Sequence, residues 1–236
     1  MSGIMDYKEY VAGFTQNNFW HVSKTELVDS ILSKYSKDAA KILNVGCGVG
    51  NDLNILKKHG EVTVVDINKN ALSIIKDKQV RKRFGDICSL PFPDKSFDMV
   101  VSFDVFEHIK DDKTAVAECK RVLKPKGILV FTVPAFPQLY STYDTFLGHE
   151  RRYTKKMIRG LLRNMHVKML GYWNFLLFCP FVTERLIKRK MPHSPHKLPH
   201  FMNSILRAIM KTENLFIRAG IKMPIGLTIY GIAQKA

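Results

Sequence analysis

An apolar strand that runs directly into three closely spaced glycines constrains the fold of this chain more than any other feature. Residues 41–45 have the composition of a buried strand, and Gly46, Gly48 and Gly50 follow at once. Because glycine has no Cβ, such a loop can turn tightly and bring its backbone close to a ligand. A second apolar strand ends on Asp66, where an acid can accept hydrogen bonds from a ribose. The pattern predicts a nucleoside-binding cleft at the carboxyl edge of a parallel sheet.

The spacing of the glycines also limits which nucleoside can bind. A dinucleotide fingerprint requires a third glycine three residues after the second, and Asn51 stands there instead. No Lys-Ser/Thr pair follows the loop, which excludes the mononucleotide phosphate loop. Taken alone, the triplet is also compatible with a plain strand–turn–helix connection that needs glycine for its backbone geometry. Other segments of the chain have to decide between the two interpretations.

Five later segments indicate the class of protein. They are Phe84–Ile87, Leu90–Asp98, Met99–Phe103, Glu118–Gly127 and Ile128–Val133. In order and spacing, these segments and the glycine loop resemble the class I S-adenosylmethionine-dependent methyltransferases of the ubiquinone/menaquinone-biosynthesis type, also called the type 11 methyltransferase domain. The resemblance covers residues 40–135. It implies an enzyme that uses S-adenosylmethionine as its cofactor.

Alternating strand and helix patterns predict an α/β fold built from parallel β-α-β units. Strands are predicted at residues 41–46, 61–66, 80–84, 97–103 and 127–133, with helices near 51–59, 69–77 and 112–123. The resemblance implies a Rossmann-like, doubly wound sheet of seven strands whose last strand is antiparallel. Residues 166–174 and 226–233 are the candidates for the sixth and seventh strands.

The chain is predicted to have four parts. These are an N-terminal cap or lid segment at residues 1–40, the S-adenosylmethionine-binding methyltransferase core at 41–174, a helical basic insertion at 175–222 and the final strand of the core at 223–236. Relatives usually have a short hairpin where this insertion stands between strands six and seven. In the first part, Phe19 and Trp20 are equally compatible with a lid over the cofactor and with packing of a helix on the sheet.

The resemblance also implies which residues surround the cofactor. The methionine end of the cofactor would be lined by Gly46, Cys47, Gly48 and Gly50, and the backbone of Phe103 would lie near the sulfonium. Asp66 would hold the ribose, with Ile67 beside it. Asp86 and Ile87 would contact the adenine. The small side chain of Cys47 suits a position inside the glycine loop.

The acceptor side of the cleft has catalytic candidates in two segments. Methyl transfer is an in-line displacement that depends mostly on alignment, and a general base is needed only for a poor nucleophile such as a hydroxyl. The loop after strand five contains His149, a residue type that titrates near neutral pH and suits a base. His108, after strand four, is the second candidate. The sequence around His149 also resembles loops of prokaryotic methyltransferases associated with saccharides or lipid-linked saccharides.

Tyr143, Arg151 and Arg152, in the same region as His149, are predicted to bind the substrate. Arginine offers forked donors for a phosphate or a carboxylate. The alternative is that the arginines belong to a solvated helix N-terminus, although the helix dipole disfavours cations there.

A metal site was also considered at the end of strand four. Asp104, Glu107 and His108 match a spacing at which some quinone O-methyltransferases of this type bind a divalent cation. Many relatives carry Glu-His at this point without a metal, so no metal site is predicted. The histidines of the proline-rich segment 191–200 are interpreted as surface residues, because a metal site needs converging ligands with support behind them.

Positive charge is concentrated in the second half of the chain. Of the net charge of +16, residues 134–236 contribute +13, from 17 basic and 4 acidic side chains, whereas residues 1–133 hold 20 basic and 17 acidic ones. This asymmetry predicts an anionic partner, which could be a phosphorylated substrate, a nucleic acid or an acidic membrane surface. The alternative is a generally basic surface with no specific partner.

The insertion combines apolar and basic segments. An apolar stretch runs into Lys188-Arg-Lys190, and residues 201–218 form an amphipathic pattern with Met202, Ile205, Leu206, Ile209 and Phe216 on one face. Such a pattern is typical of an interfacial membrane anchor. The alternative is that the apolar faces cover the sheet or form a dimer interface. No stretch reaches the roughly eighteen apolar residues that a membrane span requires.

Together these patterns favour O-methylation of a small-molecule, saccharide or lipid-linked acceptor. A nucleic-acid methyltransferase is the alternative, supported by charge alone, because the chain has neither an Asn/Asp-Pro-Pro-aromatic motif nor a recognisable RNA-binding module. A non-catalytic binding protein is disfavoured by the intact cofactor motifs. Four scattered cysteines and the lack of a signal-peptide pattern predict a cytoplasmic protein. We expect a monomer or homodimer with peripheral contact at the inner face of the membrane.

Overall fold

The computed structural model describes residues 18–35, 40–187 and 198–236. Its centre is one seven-stranded sheet with the order β3-β2-β1-β4-β5-β7-β6. The strands are β1 (Ala40–Val45), β2 (Gly60–Asp66), β3 (Arg81–Phe84), β4 (Phe97–Phe103), β5 (Leu123–Pro134), β6 (His166–Trp173) and β7 (Thr228–Gln234). Strands β1 to β5 pair in parallel, whereas β7 is antiparallel to both β5 and β6. The predicted fold class is confirmed.

The helices cover both faces of the sheet. They are α1 (Phe19–Tyr35), α2 (Leu53–Leu56), α3 (Lys69–Ile74), α4 (Asp112–Val122), α5 (Thr142–Leu147), α6 (Lys155–Leu161), α7 (Phe178–Ile187) and α8 (His200–Arg218). Alternate strand residues face opposite sides. For example, Ile42 belongs to a core shared with α1, α2, α3 and α8, and Leu43 belongs to a core shared with α4 and α6.

Most predicted boundaries differ from the observed ones by a few residues, and two of these differences have a clear physical reason. The helix expected near 51–59 is only the single turn α2, because the glycine loop extends to Asn51 and Asp52 before the helix begins. The strand expected at 127–133 begins earlier, at Leu123, directly after α4 ends. Pro125 has no N–H and cannot continue the helix, so the chain becomes extended as soon as Leu123 pairs with Phe97.

The arrangement of the strands positions a ligand site. Strand β1 lies between β2 and β4, so successive crossovers leave β1 towards opposite edges of the sheet. Ligands of doubly wound sheets bind at such a switch point, beyond the carboxyl ends of the strands. The glycine loop follows β1 at this point.

Helices α7 and α8 form a helical insertion between β6 and β7, as predicted. Two polar residues of α8 fix it in place. The Glu213 carboxylate accepts hydrogen bonds from the backbone N–H groups of Phe175 and Leu176, each at 3.0 Å. The Asn214 amide accepts from Trp173 Nε1 and donates to the backbone carbonyl of Ser23, each at 2.9 Å. Helix α8 is therefore tied both to α1 and to the end of β6.

The aromatic residues at the start of α1 pack against the same region. The ring of Phe19 stacks on Phe181 with centroids 6.2 Å apart, and Trp20 makes an edge contact with Trp173 at 5.3 Å. These contacts favour the packing interpretation for both residues, while the cap or lid role of residues 1–40 stays a prediction. Residues 1–17 lie outside the described part of the chain.

The buried side of α8 is not the apolar face predicted from its sequence. The buried residues are Met210, Glu213, Asn214 and Ile217, while Leu206 and Ile209 are half-buried. Met202, Ile205 and Phe216, which were expected to belong to one apolar face with Leu206 and Ile209, are exposed. The polar contacts of Glu213 and Asn214 set the rotation of the helix and overrule its hydrophobic pattern. Among the described residues, no helix is both long and apolar enough to span a bilayer.

Candidate functional site

The glycine loop packs against Val105, the second residue after β4. Gly46 has a φ of +68°, and a Cβ added there would lie 2.6 Å from Val105 Cγ2. Both the backbone conformation and the close approach therefore require glycine. The N–H of Gly46 donates to the carbonyl of Val65 at 2.8 Å. These contacts bring the ends of β1, β2 and β4 to one place.

Asp66 connects the end of β2 to this loop. Its carboxylate accepts a hydrogen bond from the N–H of Gly48 at 2.8 Å and another from the N–H of Asn68 at 2.8 Å. Asp66 is only 2% exposed, and this burial raises its pKa even though the backbone hydrogen bonds act in the opposite direction. A carboxylate has about four lone-pair sites, so both oxygens keep acceptor capacity for the hydroxyls of a ribose.

A pocket opens beside Asp66. Its lining residues come from the carboxyl ends of β1 and β2 and from the segments that follow β1, β2, β3 and β4. They are Val45, Gly46, Val65, Asp66, Ile67, Gly85, Asp86, Ile87 and Ile109. The apolar walls and the buried carboxylate suit a nucleoside, which has a flat ring and two adjacent hydroxyls. The residues present therefore fit the cofactor implied by the family resemblance.

The structure brings most of the predicted cofactor residues to this pocket. Gly46, Asp66, Ile67, Asp86 and Ile87 line it. The other candidates, Cys47, Gly48, Gly50 and Phe103, lie in the adjoining loop or at the end of β4, and their contacts with a cofactor stay predictions.

Sequence reasoning did not identify Ile109 as part of the pocket. It directly follows a short 3-10 turn, Phe106–His108, and only the path of this turn brings it to the pocket. The available signal was an apolar residue next to His108.

The first residue after β4 is held in a strained conformation. Asp104 has a φ of +54°, which is uncommon for a residue other than glycine. Lys24 of α1 contacts its carboxylate at 3.2 Å, and Thr132 Oγ1 donates to it at 2.9 Å. Burial opposes its ionisation, but the Lys24 ammonium and these hydrogen bonds hold the pKa of Asp104 below its ordinary value. The ion pair links α1 to the carboxyl end of β4.

Glu107 and His108 follow in the 3-10 turn and are both buried. Burial, together with the charge of Asp104, raises the pKa of Glu107 well above its ordinary value. Its Oε2 has no hydrogen-bond partner. Burial and the nearby His149 lower the pKa of His108 to about 4. His108 is therefore neutral at pH 7, with its Nδ1 bonded to the carbonyl of Gly148 at 3.1 Å.

His149 reaches the same place from α5. Gly148 ends this helix in the left-handed conformation, with a φ of +77°, and so turns the chain back towards the sheet. His149 Nδ1 lies 2.9 Å from Asp144 Oδ1, and its ring lies edge-on to the ring of His108, with centroids 4.8 Å apart. Because a carboxylate only accepts hydrogen bonds, Nδ1 carries a proton in this contact.

The carboxylate of Asp144 also pairs with two arginines. Arg152 Nε contacts it at 2.7 Å, and Arg185 Nη1 of α7 contacts it at 2.7 Å. Burial opposes its ionisation, but the His149 hydrogen bond and the two guanidinium groups lower the pKa of Asp144 to about 2. Asp144 is therefore an anion at all pH values at which the protein would work.

The predicted substrate-binding residues are engaged within the protein. Arg151 donates to Asp112 Oδ2 at 3.0 Å and to the carbonyl of Lys110 at 2.8 Å. Arg152 is buried and donates to Asp144 and to the carbonyl of Ala135. The half-buried ring of Tyr143 lies 5.2 Å from the guanidinium carbon of Arg185. Substrate binding by Tyr143, Arg151 and Arg152 stays a prediction, and the contacts of Arg152 favour a role in holding Asp144.

The donor atoms of Glu107, His108 and His149 lie within 4.8 Å of one another. These three residues could each offer a ligand atom to a cation. The spacing considered from the sequence used Asp104 as the third ligand, but Asp104 is bonded to Lys24 and Thr132 instead. The prediction that no metal is used stays a prediction.

Asp144, Lys24 and Arg185 had no assigned role from the sequence alone. For Asp144, the signal was an acid five residues before a histidine in one loop. Lys24 and Arg185 reach the site from distant segments, and no local pattern marks them.

Comparison with known proteins agrees with the fold. Residues 43–131 match the model of a methyltransferase domain family. A demethylmenaquinone methyltransferase of Staphylococcus haemolyticus is 32% identical over 164 residues, which are 62% of this chain and 65% of the relative. One from Staphylococcus aureus is 34% identical over 152 residues, 58% of this chain and 61% of the relative. The matches thus span less than two thirds of the length of these relatives.

Solved structures show the same fold. A S-adenosylmethionine-dependent methyltransferase of Archaeoglobus fulgidus superposes with a TM-score of 0.58 at 19% identity, over 89% of this chain and 94% of that one. Phosphoethanolamine N-methyltransferase 2 of Haemonchus contortus, in complex with S-adenosyl-L-methionine, gives a TM-score of 0.59 at 21% identity, over 87% of this chain and 51% of that one. Residues 43–131 thus match a methyltransferase domain family, and the seven-stranded sheet with its antiparallel β7 resembles the class I S-adenosylmethionine-dependent methyltransferases in fold.

Proposed function

We propose that this protein transfers a methyl group from S-adenosylmethionine to an oxygen atom of a small-molecule, saccharide or lipid-linked acceptor. One observation carries the proposal. Ile109 lines the nucleoside pocket, its neighbour His108 packs against His149, and His149 is held by the buried Asp144. A histidine suited to take a proton therefore adjoins the site predicted to hold the methyl donor.

The cofactor supplies a methyl group on a positively charged sulfur, and the residues of this chain would position the two reactants. Gly46, Asp66 and Ile87 would fix the nucleoside part. Holding two reactants in line can contribute several kcal/mol, about 7–11 kcal/mol at best. A hydroxyl acceptor has to lose its proton, which we assign to Nε2 of His149. The Asp144 carboxylate would then stabilise the resulting imidazolium, as an acid does when it orients a catalytic histidine.

The charge distribution and the curated relatives support the class of acceptor. Residues 134–236, which include His149 and both helices of the insertion, carry the excess of positive charge. Such a field attracts an anionic substrate. The relatives act on demethylmenaquinone, according to their names, and this lipid-linked compound supports the lipid-linked class of acceptor, although its own methylation adds the group to a ring carbon and not to an oxygen. Nucleic acid has only the charge in its favour.

Labelled S-adenosylmethionine tests the proposal directly. The protein would be incubated with separate lipid, small-metabolite and RNA fractions, and demethylmenaquinone would be included as a pure compound. We expect label in the lipid or metabolite fraction, and the carbon-13 shift of the transferred methyl should be that of an O-methyl group. Label in RNA, or on carbon or nitrogen, would exclude the proposed chemistry.

Asp66→Ala should weaken the binding of S-adenosylmethionine and S-adenosylhomocysteine by about 1.5–3 kcal/mol, because hydrogen bonds to a charged group are lost. Isothermal calorimetry measures this change. Asp98→Ala is the matched control, since Asp98 pairs with Lys124 at the opposite end of β4 and should leave the affinity unchanged. Equal affinities of Asp66→Ala and the wild type would remove Asp66 from the cofactor site.

A further inference from the structure

The outer face of α8 exposes large apolar side chains. Phe201, Ile205 and Phe216 are 64%, 52% and 43% exposed, and Met202 is exposed as well. At 3.6 residues per turn these four lie on one side of the helix, which is about 28 Å long. Leu186 and Ile187, the last residues of α7, are also exposed. A soluble helix that only covered the sheet would turn such residues inward.

The rotation of α8 cannot bring this outer face into the protein. Its inner side is fixed by the hydrogen bonds of Glu213 to Phe175 and Leu176 and by those of Asn214 to Trp173 and Ser23. Rotating the helix would break these bonds and leave the backbone N–H groups of Phe175 and Leu176 and the buried Trp173 Nε1 without acceptors, which is unfavourable. The apolar face therefore stays outside.

The exposed Lys and Arg side chains of α8 itself have no exposed acid among them on this helix. Arg207, Lys211 and Arg218 are exposed and lie together on one flank of the helix, and Arg207 also approaches Glu26 of α1 at 3.8 Å. The only acid within α8 is the buried Glu213. An apolar face with a basic flank is the pattern of a helix that lies in the plane of an anionic bilayer surface.

We propose that the outer face of α8 (Phe201, Met202, Ile205 and Phe216, with Arg207, Lys211 and Arg218 at its flank) binds the surface of an anionic lipid bilayer. The inference deepens the proposed function, since a lipid-linked acceptor is met at such a surface. A second copy of the chain fits less well, because the same flank of two copies would bring six like charges close to one another. Acidic head groups complement these charges instead.

Flotation with lipid vesicles tests the inference without S-adenosylmethionine or an acceptor. We expect the protein to float with vesicles of phosphatidylcholine and phosphatidylglycerol, to remain unbound with pure phosphatidylcholine, and to dissociate at high salt. Phe201→Ser combined with Ile205→Ser should lower the bound fraction at least tenfold. Lys211→Gln should weaken binding about fivefold, the effect of one charge near an acidic surface.

Met157→Ser is the matched control, since Met157 is exposed on α6, and we expect it to float like the wild type. Calorimetry with S-adenosylhomocysteine on the same samples checks that each variant retains the cofactor site. Failure to bind anionic vesicles at low salt, equal binding to neutral vesicles, or a dimer that Phe201→Ser and Ile205→Ser dissociate would overturn the inference. Each of these results would still be compatible with methyl transfer to a water-soluble acceptor. The flotation experiment therefore tests the membrane-binding surface separately from the proposed function.

Discussion

His149→Ala is expected to lower kcat by about 10²–10⁴-fold, the usual contribution of a general base. The variant loses the Nε2 lone pair that would take the acceptor proton, and no other group bonded to Asp144 can replace it, because Arg152 and Arg185 are proton donors only. Its affinity for S-adenosylhomocysteine should stay at the wild-type value, because His149 does not line the nucleoside pocket. Turnover with the acceptor that wild-type protein labels, together with calorimetry, measures the two quantities.

His59→Ala is a matched control for this experiment. His59 Nε2 also contacts an aspartate, Asp29 of α1, at 2.8 Å, but this pair is not part of the cluster around His108 and His149. We expect its kcat to equal that of the wild type. Turnover of His149→Ala within a factor of two of the wild type would mean that the acceptor needs no base at this position, as for a nucleophile more reactive than a hydroxyl.

Asp144→Asn is expected to lower the free energy of unfolding by about 3–5 kcal/mol, the cost of removing one partner from a buried ion pair. The neutral amide would leave the buried Arg152 guanidinium without its counter-charge and would weaken the contact of Arg185. Urea unfolding at pH 7 measures the loss. Asp94→Asn is the control, because Asp94 pairs with Arg121 at an exposed position, where such a pair contributes about 0–1 kcal/mol.

The same variant should change how stability depends on pH. The pKa of Asp144 is lowered to about 2 in the folded protein, below the value of about 3.9 for an unfolded aspartate. Its contribution to stability is therefore complete above about pH 4 and is lost as the pH falls towards 2. Wild type should lose more stability than Asp144→Asn over this interval. Parallel stability curves for the two proteins would show that the Asp144 carboxylate is not stabilised in the folded state.

The sequence predicted the parts of the site that local chemistry determines. Gly46 and Asp66 could be identified because each follows a strand directly, and parallel strands bring their carboxyl ends to one edge of the sheet. His108 and His149 could both be proposed for the acceptor side for the same reason, since they follow β4 and β5. The number of strands and the antiparallel last strand came from the family resemblance, because no spacing in the chain encodes them.

Other features depend on contacts between distant segments. The bonds of Asn214 to Trp173 and Ser23 set the rotation of α8. The hydrophobic pattern of the helix alone would instead have buried the apolar face that is exposed in the structure. The buried position of Arg152 was equally hidden, because its partners Asp144 and Ala135 are drawn together only by the folded loop. A polar residue that fixes a helix through a hydrogen bond to a distant segment, or that pairs with a distant charge, leaves no periodic signal in the sequence.

The contact between Arg185 and Asp144 connects the insertion to the orientation of the His149 ring. Arg185 is the one charge of α7 that reaches the carboxylate holding the Nδ1 proton, at 2.7 Å, and it also donates to the carbonyl of Leu139. Two equilibria are therefore linked. In one, α7 is packed with Arg185 against Asp144 or is not; in the other, the imidazole of His149 is oriented by Asp144 or is not. Any ligand or surface that favours the packed position of α7 therefore also increases the fraction of molecules with an oriented histidine. By reciprocity, an acceptor that binds better to the oriented histidine favours the packed position of α7 by the same free energy.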